Sequence, residues 1–557
     1  VTRSRAGRFA LAALGGVLEV LALPLVVPGF GLRQVDPVGF MSVLGWVGLV
    51  PAIVALGAAA GPGEAALLGL AAGAAAFYAA IYWVSHAMTA FGGLSAGVAF
   101  VGLTALVLYM AAHWSAAFWA SFTIRRRTGW PLWAHLPVIW VATELSRNYL
   151  FTGFPWGNLG YTQVRNGPVA QLAALGGVYA VAGLVVLVNC VLAAWWAARP
   201  GARERTAPPW RATAVAGLLL AAALGHGAWR LSAVRGEMAA APRVKIGVVQ
   251  ANVSQAVKNQ GRRFSDRILG RLWPLTVEAD RRGAELVAWP EASWPWTLPP
   301  DLASLRAASP DLEPLHTAHL LLGAATVQWI QGPQGRQARV ENTAFLLDPD
   351  LRVMDRYVKH HLVPFGEYVP LRDWLPFLRS VVPAMAPIAA GGRLVPMSFE
   401  SGGRRITFAP MICFDAIFPE VARTFALQDA DLLVNPTNDA WYGYSSGPYQ
   451  FLDIVRMRAI ETGRSVARPA YSGVSALVYP TGEVAPGALE VGPVDPGLAP
   501  DPDEPARLLV GELPILRGRT PYTRVGDLFA WACVAASVLM LGAALLRRPA
   551  RRAAQEN

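Results

Sequence analysis

The sequence predicts a protein of two parts: a polytopic α-helical membrane domain of about eight spans, and a layered domain of mixed α and β structure outside the bilayer. Three observations predict this. Of 557 residues, 54% are hydrophobic and only 15% are charged. The apolar residues are segregated: 1–231 and 525–546 are mostly apolar and nearly free of acids, whereas 232–524 carry ordinary charge and many prolines. The arginines fall in clusters between the apolar segments.

A helix needs about 20 apolar residues to cross a bilayer. Eight segments of that size occur, roughly at 9–29, 39–59, 64–84, 95–121, 131–149, 169–197, 211–231 and 525–546. Residues 1–231 therefore read as seven spans, 232–524 as the extramembrane domain, 525–546 as the eighth span and 547–557 as a basic tail. The first segment follows Arg3, Arg5 and Arg8 and has the flank of a signal peptide. With seven spans behind it, it reads as an uncleaved signal anchor.

Arginine placement sets the orientation. Arg3, Arg5 and Arg8 precede the first span. Arg125, Arg126 and Arg127 follow the fourth. Arg199, Arg203, Arg205 and Arg211 follow the sixth, and Arg547, Arg548, Arg551 and Arg552 follow the eighth. With eight spans all four clusters share one side, and the opposite short loops hold only Arg33 and Arg165. The clusters mark the cytoplasm. Both termini are then inside, and 232–524 lie outside. Much of the net charge of +11 is this positive-inside arginine. Nucleic-acid binding would need basic and aromatic residues interleaved on the polar part, and no such patch occurs.

Within 232–524, the runs 244–252, 285–291, 319–328, 342–349, 405–415, 431–439, 474–482 and "RLLVGEL" read as strands ending in turn residues. Helical patterns lie at 262–282, 416–428 and 447–464. Strands alternating with helices argue for an α/β or α+β layered domain.

Of three cysteines, Cys190 and Cys533 lie in apolar spans, and Cys413 alone lies in the polar region, in "PMICFD". Outside the cytoplasm thiols usually pair. A cysteine without a partner is either reactive or inert and buried. Two other strand ends bear on the choice. "WPE" places Glu291 after an apolar strand, and "YVKHHLVPFGE" places Lys359 after a strand, with Glu367 eight residues on. A carboxylate base to activate a thiol, and an ammonium to stabilise an oxyanion, complete a set for acyl transfer. Each alone is more simply a solvated loop residue; the combination carries the information.

These residues resemble the Glu–Lys–Cys triad of the nitrilase superfamily, with Glu291, Lys359 and Cys413 in the three places. The resemblance covers 243 to about 510 and implies a four-layer αββα sandwich. A longer resemblance, over nearly the whole chain, is to the apolipoprotein N-acyltransferase family. It is carried by "GFPWGNLGYTQ" (153–163), "HLVPFGEYVP" (361–370), "NDAWYG" (438–443), "GPYQFLDIVRMRAIETGR" (447–464) and "TPYTRVGD" (520–527). The family implies that Cys413 takes an acyl chain from a phospholipid, typically phosphatidylethanolamine, as a thioester. It then passes the chain to the N-terminal amine of a diacylglyceryl-cysteine apolipoprotein. Glu291 is implied as base and then acid. Lys359 and a backbone N–H near Phe414 hold the oxyanion, and Glu367 orients its neighbours. No metal or cofactor is implied, and the expected setting is a monomer in the bacterial inner membrane with its catalytic domain on the periplasmic face.

Several positions stay open. Phe414 and Asp415 stand where the family often has Tyr and Glu, which puts that pair's part in amine binding in question. Asn259 stands where a Trp is common. Trp441 and Tyr442 read either as a lid or as core, and Phe154 and Trp156 either as a portal lining or as interfacial anchors. Glu19 is a carboxylate inside the first span, a functional or a helix-packing group. Glu144 and Arg147, at i, i+3, either pair or hold a phosphate headgroup. Rival readings are a membrane-tethered amidase, which shares the triad, and a transporter or scaffold with an inactive outer domain, which would not preserve it.

Overall fold

The computed structural model describes residues 2, 4–27, 32–34, 41–90, 92–200, 207–253, 265–332, 335–368, 388–490 and 505–547. The readings of Arg3, Arg203, Arg205, Asn259, Arg548, Arg551 and Arg552 lie outside the described residues.

Each of the eight apolar segments contains helix. α1 (Arg5–Val20) begins at Ser4, whose hydroxyl accepts from Gly7 N at 3.0 Å. It ends before Pro24, and the chain turns into a short pair, β1 (Leu25–Val27) and β2 (Leu32–Gln34). The second segment is broken into α2 (Ser42–Val47) and α3 (Val50–Gly57), with Pro51 at the start of α3. Then follow α4 (Pro62–Ile81), α5 (Trp83–Ala90), α6 (Ala96–Thr128), α7 (Leu136–Tyr149), α8 (Gly167–Ala170), α9 (Ala173–Ala198) and α10 (Trp210–Ala240). Among the described residues α4, α6, α9, α10 and the last helix, Leu528–Leu546, are long and apolar enough to cross a bilayer alone. α1, α3 and α7 are shorter, so the count of eight rests on the sequence pattern. The helices pack through small residues, as spans in lipid do. A Cβ at Gly16 would lie 2.0 Å from the Ala72 carbonyl, so only glycine lets α1 approach α4 this closely.

α10 does not stop at 231 but continues unbroken to Ala240 and hands the chain to β3 (Arg243–Gln250). The layered domain holds α11 (Ser265–Arg281), β4 (Leu286–Ala288), β5 (His319–Gly332), β6 (Gly335–Leu347), β7 (Val353–Val358), β8 (Met397–Ser401) and β9 (Arg404–Pro410). It continues with α12 (Pro419–Leu427), β10 (Leu432–Val434), α13 (Gly447–Thr462), β11 (Ser465–Arg468), β12 (Val474–Val478), β13 (Leu489–Glu490) and β14 (Arg507–Pro514). α14 (Pro521–Val525) and α15 (Leu528–Leu546) return to the membrane part.

The strands form two six-stranded sheets, ordered β14-β3-β4-β5-β6-β7 and β13-β12-β11-β10-β9-β8. In each the central three strands, β3-β4-β5 and β9-β10-β11, are parallel and the outer pairings antiparallel. The sheets pack face to face. Ile246, Val248, Leu286 and Leu321 meet Phe399, Phe408, Leu433 and Val466 in one core. The alternate residues Val249, Val287, Leu320 and Leu322 meet Ile268, Leu272 and Ala279 of α11 in a second core. Strands buried on both faces read as continuous apolar runs. With α12 and α13 on the second sheet, the layers are helix, sheet, sheet, helix, as the resemblance implied.

The α12–α13 layer faces the membrane part. Asn148 Nδ2 donates to Glu420 Oε2 at 2.9 Å, Arg165 pairs with Asp453 at 3.2 Å, and Trp156 Nε1 donates to Gln450 Oε1 at 2.8 Å. α13 is thus covered on both sides, and of its sixteen residues only Arg456 is not buried.

Candidate active site

Three strand ends, from both sheets, meet in one place. Glu291 follows β4, Lys359 is the first residue after β7, and Cys413 lies three residues past β9. In α/β sheets such crevices beyond the carboxyl ends of parallel strands are where ligands bind. Cys413 opens a tight turn, Cys413–Ile417, with φ of +46°, a left-handed conformation that a side chain rarely adopts. Its surroundings hold it there. Cys413 N donates to the Pro436 carbonyl at 2.7 Å, and Asn435 Nδ2 donates to the Met411 and Cys413 carbonyls at 2.6 and 3.3 Å. Strain of this kind, on the order of 1–3 kcal/mol, persists where neighbours over-determine it, and it aims the side chain out of the turn.

The Lys359 side chain is 1% exposed and sits between two carboxylates, with Nζ 2.9 Å from Glu291 Oε1 and 2.9 Å from Glu367 Oε1. Asn342 Nδ2 donates to Glu291 Oε1 at 2.7 Å and to Glu367 Oε1 at 3.4 Å. The other oxygens are also held: Asn438 N donates to Glu291 Oε2 at 3.1 Å, and Val363 N to Glu367 Oε2 at 2.8 Å. The buried Cys413 thiol shares this pocket with Glu291 and Thr437, both of which act on its protonation.

The electrostatics follow from these contacts. Burial works to raise the Glu291 pKa, but the Lys359 ammonium and the hydrogen bonds from Lys359, Asn342 and Cys413 outweigh it, and the carboxyl sits below its ordinary value. Burial works to lower the Lys359 pKa, but Glu291 and Glu367 hold it well above the usual range. Burial and then the Glu291 charge push the Cys413 thiol well above the usual thiol range, against the pull of Lys359. The resting site is therefore a neutral thiol beside an ionised carboxylate and an ammonium. That arrangement suits proton removal during attack rather than a standing thiolate.

Asp415 is fully buried. Its Oδ2 accepts from Tyr357 Oη at 2.9 Å and Ile412 N at 3.1 Å, and its Oδ1 from His361 N at 2.7 Å. It ties the cysteine turn to the segment after Lys359 and is saturated by the protein, so it is not placed to take an amine. Burial pushes its carboxyl up to about 6, against the hydrogen bonds it accepts. Protonation would cost one accepting oxygen. An acid limb near pH 6 is therefore expected in the rate of Cys413 acylation. Asp415→Asn should flatten that limb at a rate about 10-fold lower, the worth of one hydrogen bond to a charged group. A limb at the same pH in the variant would assign it to another group.

Phe414 packs against Phe154 at 6.1 Å between ring centroids and Phe418 at 5.4 Å. Phe154 stacks on Trp156, and Trp156 meets Trp83 at 5.0 Å and Tyr442 at 6.1 Å. An aromatic wall thus joins the cysteine turn to loops of the membrane part. Tyr442 is buried and packed as core, whereas Trp441 beside it is partly exposed. Away from the site, Glu144 and Arg147 take the paired reading. They are buried 3.6 Å apart, and Arg147 Nη2 also donates to Asn158 Oδ1 at 2.6 Å. Glu19 is buried as well, where the α2–α3 connection crosses α1: a Cβ at Gly48 would lie 2.8 Å from Glu19 N. Sequence reading missed Asn342, Asn438, Thr437 and Tyr357. Asn342, where β6 passes from an exposed, charged half to a buried, apolar one, is the one with a visible signal.

Two family models match this chain: the apolipoprotein N-acyltransferase N-terminal domain over residues 34–191 and carbon-nitrogen hydrolase over residues 245–492. The apolipoprotein N-acyltransferase of Geobacter metallireducens is 31% identical over 97% of this chain and 96% of its own length. That of Azotobacter vinelandii is 34% identical over 85% of this chain and 84% of its own, and that of Gloeobacter violaceus 32% identical over 100% and 97%. Among solved structures, a mutant of the Nesterenkonia AN1 amidase from the nitrilase superfamily aligns with 51% of this chain and 95% of its own, at 22% identity and a TM-score of 0.31.

Proposed function

Because this chain belongs to the apolipoprotein N-acyltransferase family, we propose that Cys413 carries the transferred acyl group, with Glu291 and Lys359 as its catalytic partners. The enzyme performs the N-acylation that completes lipoprotein maturation, on a lipid and a lipoprotein substrate in a membrane setting. One observation supports the residue assignment above the others: Glu291, Lys359 and Cys413 leave three separate strands and converge on one buried site.

In the first step Glu291 takes the thiol proton as sulfur attacks the ester carbonyl of the donor. The negative charge that forms on oxygen is met by Lys359 and by a backbone N–H near Phe414. The ester C–O bond breaks, Glu291 returns the proton to the leaving alkoxide, and a lysophospholipid departs. In the second step the α-amine of the acceptor attacks the thioester. Glu291 takes a proton from the nitrogen and passes it to sulfur as the C–S bond breaks, which restores the thiol. Glu367 and Asn342 keep Lys359 and Glu291 in register. The aromatic wall from Trp83 to Phe414 would seat acyl chains beside the thiol and exclude the water that would hydrolyse the thioester. In this reading the donor is a phospholipid of the outer leaflet, phosphatidylethanolamine foremost. The catalytic domain lies on the periplasmic face of the inner membrane, both termini are cytoplasmic, and the working unit is a monomer.

The test is to incubate the full chain with acyl-labelled phosphatidylethanolamine and no acceptor, then map the label by mass spectrometry. A hydroxylamine-labile adduct on Cys413, absent from Cys413→Ala, is expected. A folded protein that gains no adduct, or gains it elsewhere, would remove Cys413 from its role.

A further inference from the structure

α9 is broken near its start. Gly176 (φ −138°, ψ 26°) and Gly177 (φ +68°, ψ −176°) leave the helical region, so the continuous helix begins at Val178. Only glycine fits at the second position, because a Cβ there would also lie 2.7 Å from the Tyr522 ring. The break strips Val178 N–H of a partner within its own helix. That partner comes from the layered domain: Glu461 Oε1, near the end of α13, accepts from Val178 N at 2.9 Å.

Glu461 does not act alone. Arg458, one turn earlier, places Nε 2.9 Å from Glu461 Oε2 and Nη2 3.1 Å from Oε1. Both side chains are 0% exposed. Arg458 has two further partners, Tyr161 Oη at 3.2 Å on the membrane side and the Ile417 carbonyl at 3.4 Å. Ile417 is the last residue of the turn that opens with Cys413. One chain of contacts therefore runs from the cysteine turn through Arg458 and Glu461 to the first N–H of a membrane helix. The Thr520 hydroxyl, just ahead of the last span, donates to the Glu461 carbonyl and adds a second attachment. A buried ion pair is a poor source of stability compared with apolar side chains of like volume. Its value here lies in geometry.

We propose that Arg458 and Glu461 are positioning residues for acyl transfer from the bilayer: they tie the turn carrying Cys413 to the start of a membrane helix and so set the depth at which the thiol meets a membrane-anchored ester. This rests on the reading of Cys413 as the acyl carrier. A shift of the thiol by on the order of 1 Å can cost about 100-fold when the ester is held in place by the membrane. A soluble ester diffuses to the thiol wherever it lies, and so does not sense that depth.

The experiment uses the full chain in phospholipid vesicles and compares two acyl donors, labelled phosphatidylethanolamine in the bilayer and a soluble short-chain thioester. The readout is the rate at which each labels Cys413. Glu461→Gln is expected to slow labelling from the bilayer donor by about 10-fold or more and to leave labelling from the soluble donor within about 2-fold. The double variant Arg458→Met with Glu461→Leu replaces the pair by apolar groups and guards against a simple folding failure. It should melt near the unsubstituted chain and show the same donor-dependent loss. Equal losses with both donors, or no loss with either, would overturn the positioning role. No Cys413 label from either donor in the unsubstituted chain would overturn the acyl-carrier reading itself, and this proposal with it.

Discussion

Glu291→Gln is expected to slow acylation of Cys413 by about 10²–10⁴-fold, the range for loss of a positioned general base, without unfolding the protein. The resting thiol is neutral and held well above the usual thiol range by burial and then by the Glu291 charge. Without a base in contact it has no route to a nucleophile at neutral pH. The amide keeps the shape of the side chain, and its one oxygen, placed at Oε1, still accepts from Asn342 and Lys359, so only the bond from Asn438 N is lost. It also leaves Lys359 paired with Glu367, 2.9 Å away, so no buried charge is orphaned. The melting temperature should therefore stay within a few degrees. A second readout separates loss of the base from general damage. Removing the Glu291 charge removes a cause that raises the thiol, so alkylation of Cys413 by iodoacetamide should reach its midpoint at lower pH in the variant. An unchanged acylation rate would show that some other group takes the thiol proton. A midpoint shifted to higher pH would show that the site had been disrupted instead.

The strand ends at Glu291 and Cys413 were legible because each carries its chemistry at the point where an apolar run stops, and the two sheets bury both faces of those runs. The strands β7 and β11 were not legible as runs. β7, "VMDRYV", is an exposed edge with charges in it, and β11, "SVAR", ends in Arg468, whose burial makes sense only beside Asp439 at 2.8 Å. No local pattern announces that pair. Hydropathy also read through the breaks in the membrane part. Residues 39–59 are apolar throughout, and the interruption between α2 and α3 is a backbone event that composition does not register. The same holds at Gly176 and Gly177, where an apolar run conceals a helix start that needs Glu461, 283 residues away, to cap it. α13 hid its role for the opposite reason. A helix buried on both sides has no polar face to mark which side meets the membrane part.

Lys359→Met should be more damaging still, because it acts on charge as well as chemistry. The ammonium lies 2.9 Å from each of two carboxylates that share one amide donor, Asn342. Without it, Glu291 and Glu367 face each other in a buried site, and like charges so placed cannot both stay ionised. The pair would take up a proton, and when Glu291 holds it the base is lost. Breaking a buried ion pair from one side costs about 3–5 kcal/mol, so a clear fall in melting temperature should accompany a loss of acylation of about 10³-fold or more. A second variant divides the two effects. In Lys359→Met with Glu367→Gln, one carboxyl remains, bonded to Asn342 and Asn438, and most of the lost stability should return. If Lys359 also meets the oxyanion, acylation should stay about 10²–10³-fold below the unsubstituted enzyme, because nothing in the double variant supplies that positive charge. If activity returns with stability, Lys359 serves only to keep Glu291 ionised, and the charge that forms on the attacked carbonyl must be met by backbone N–H groups of the cysteine turn alone.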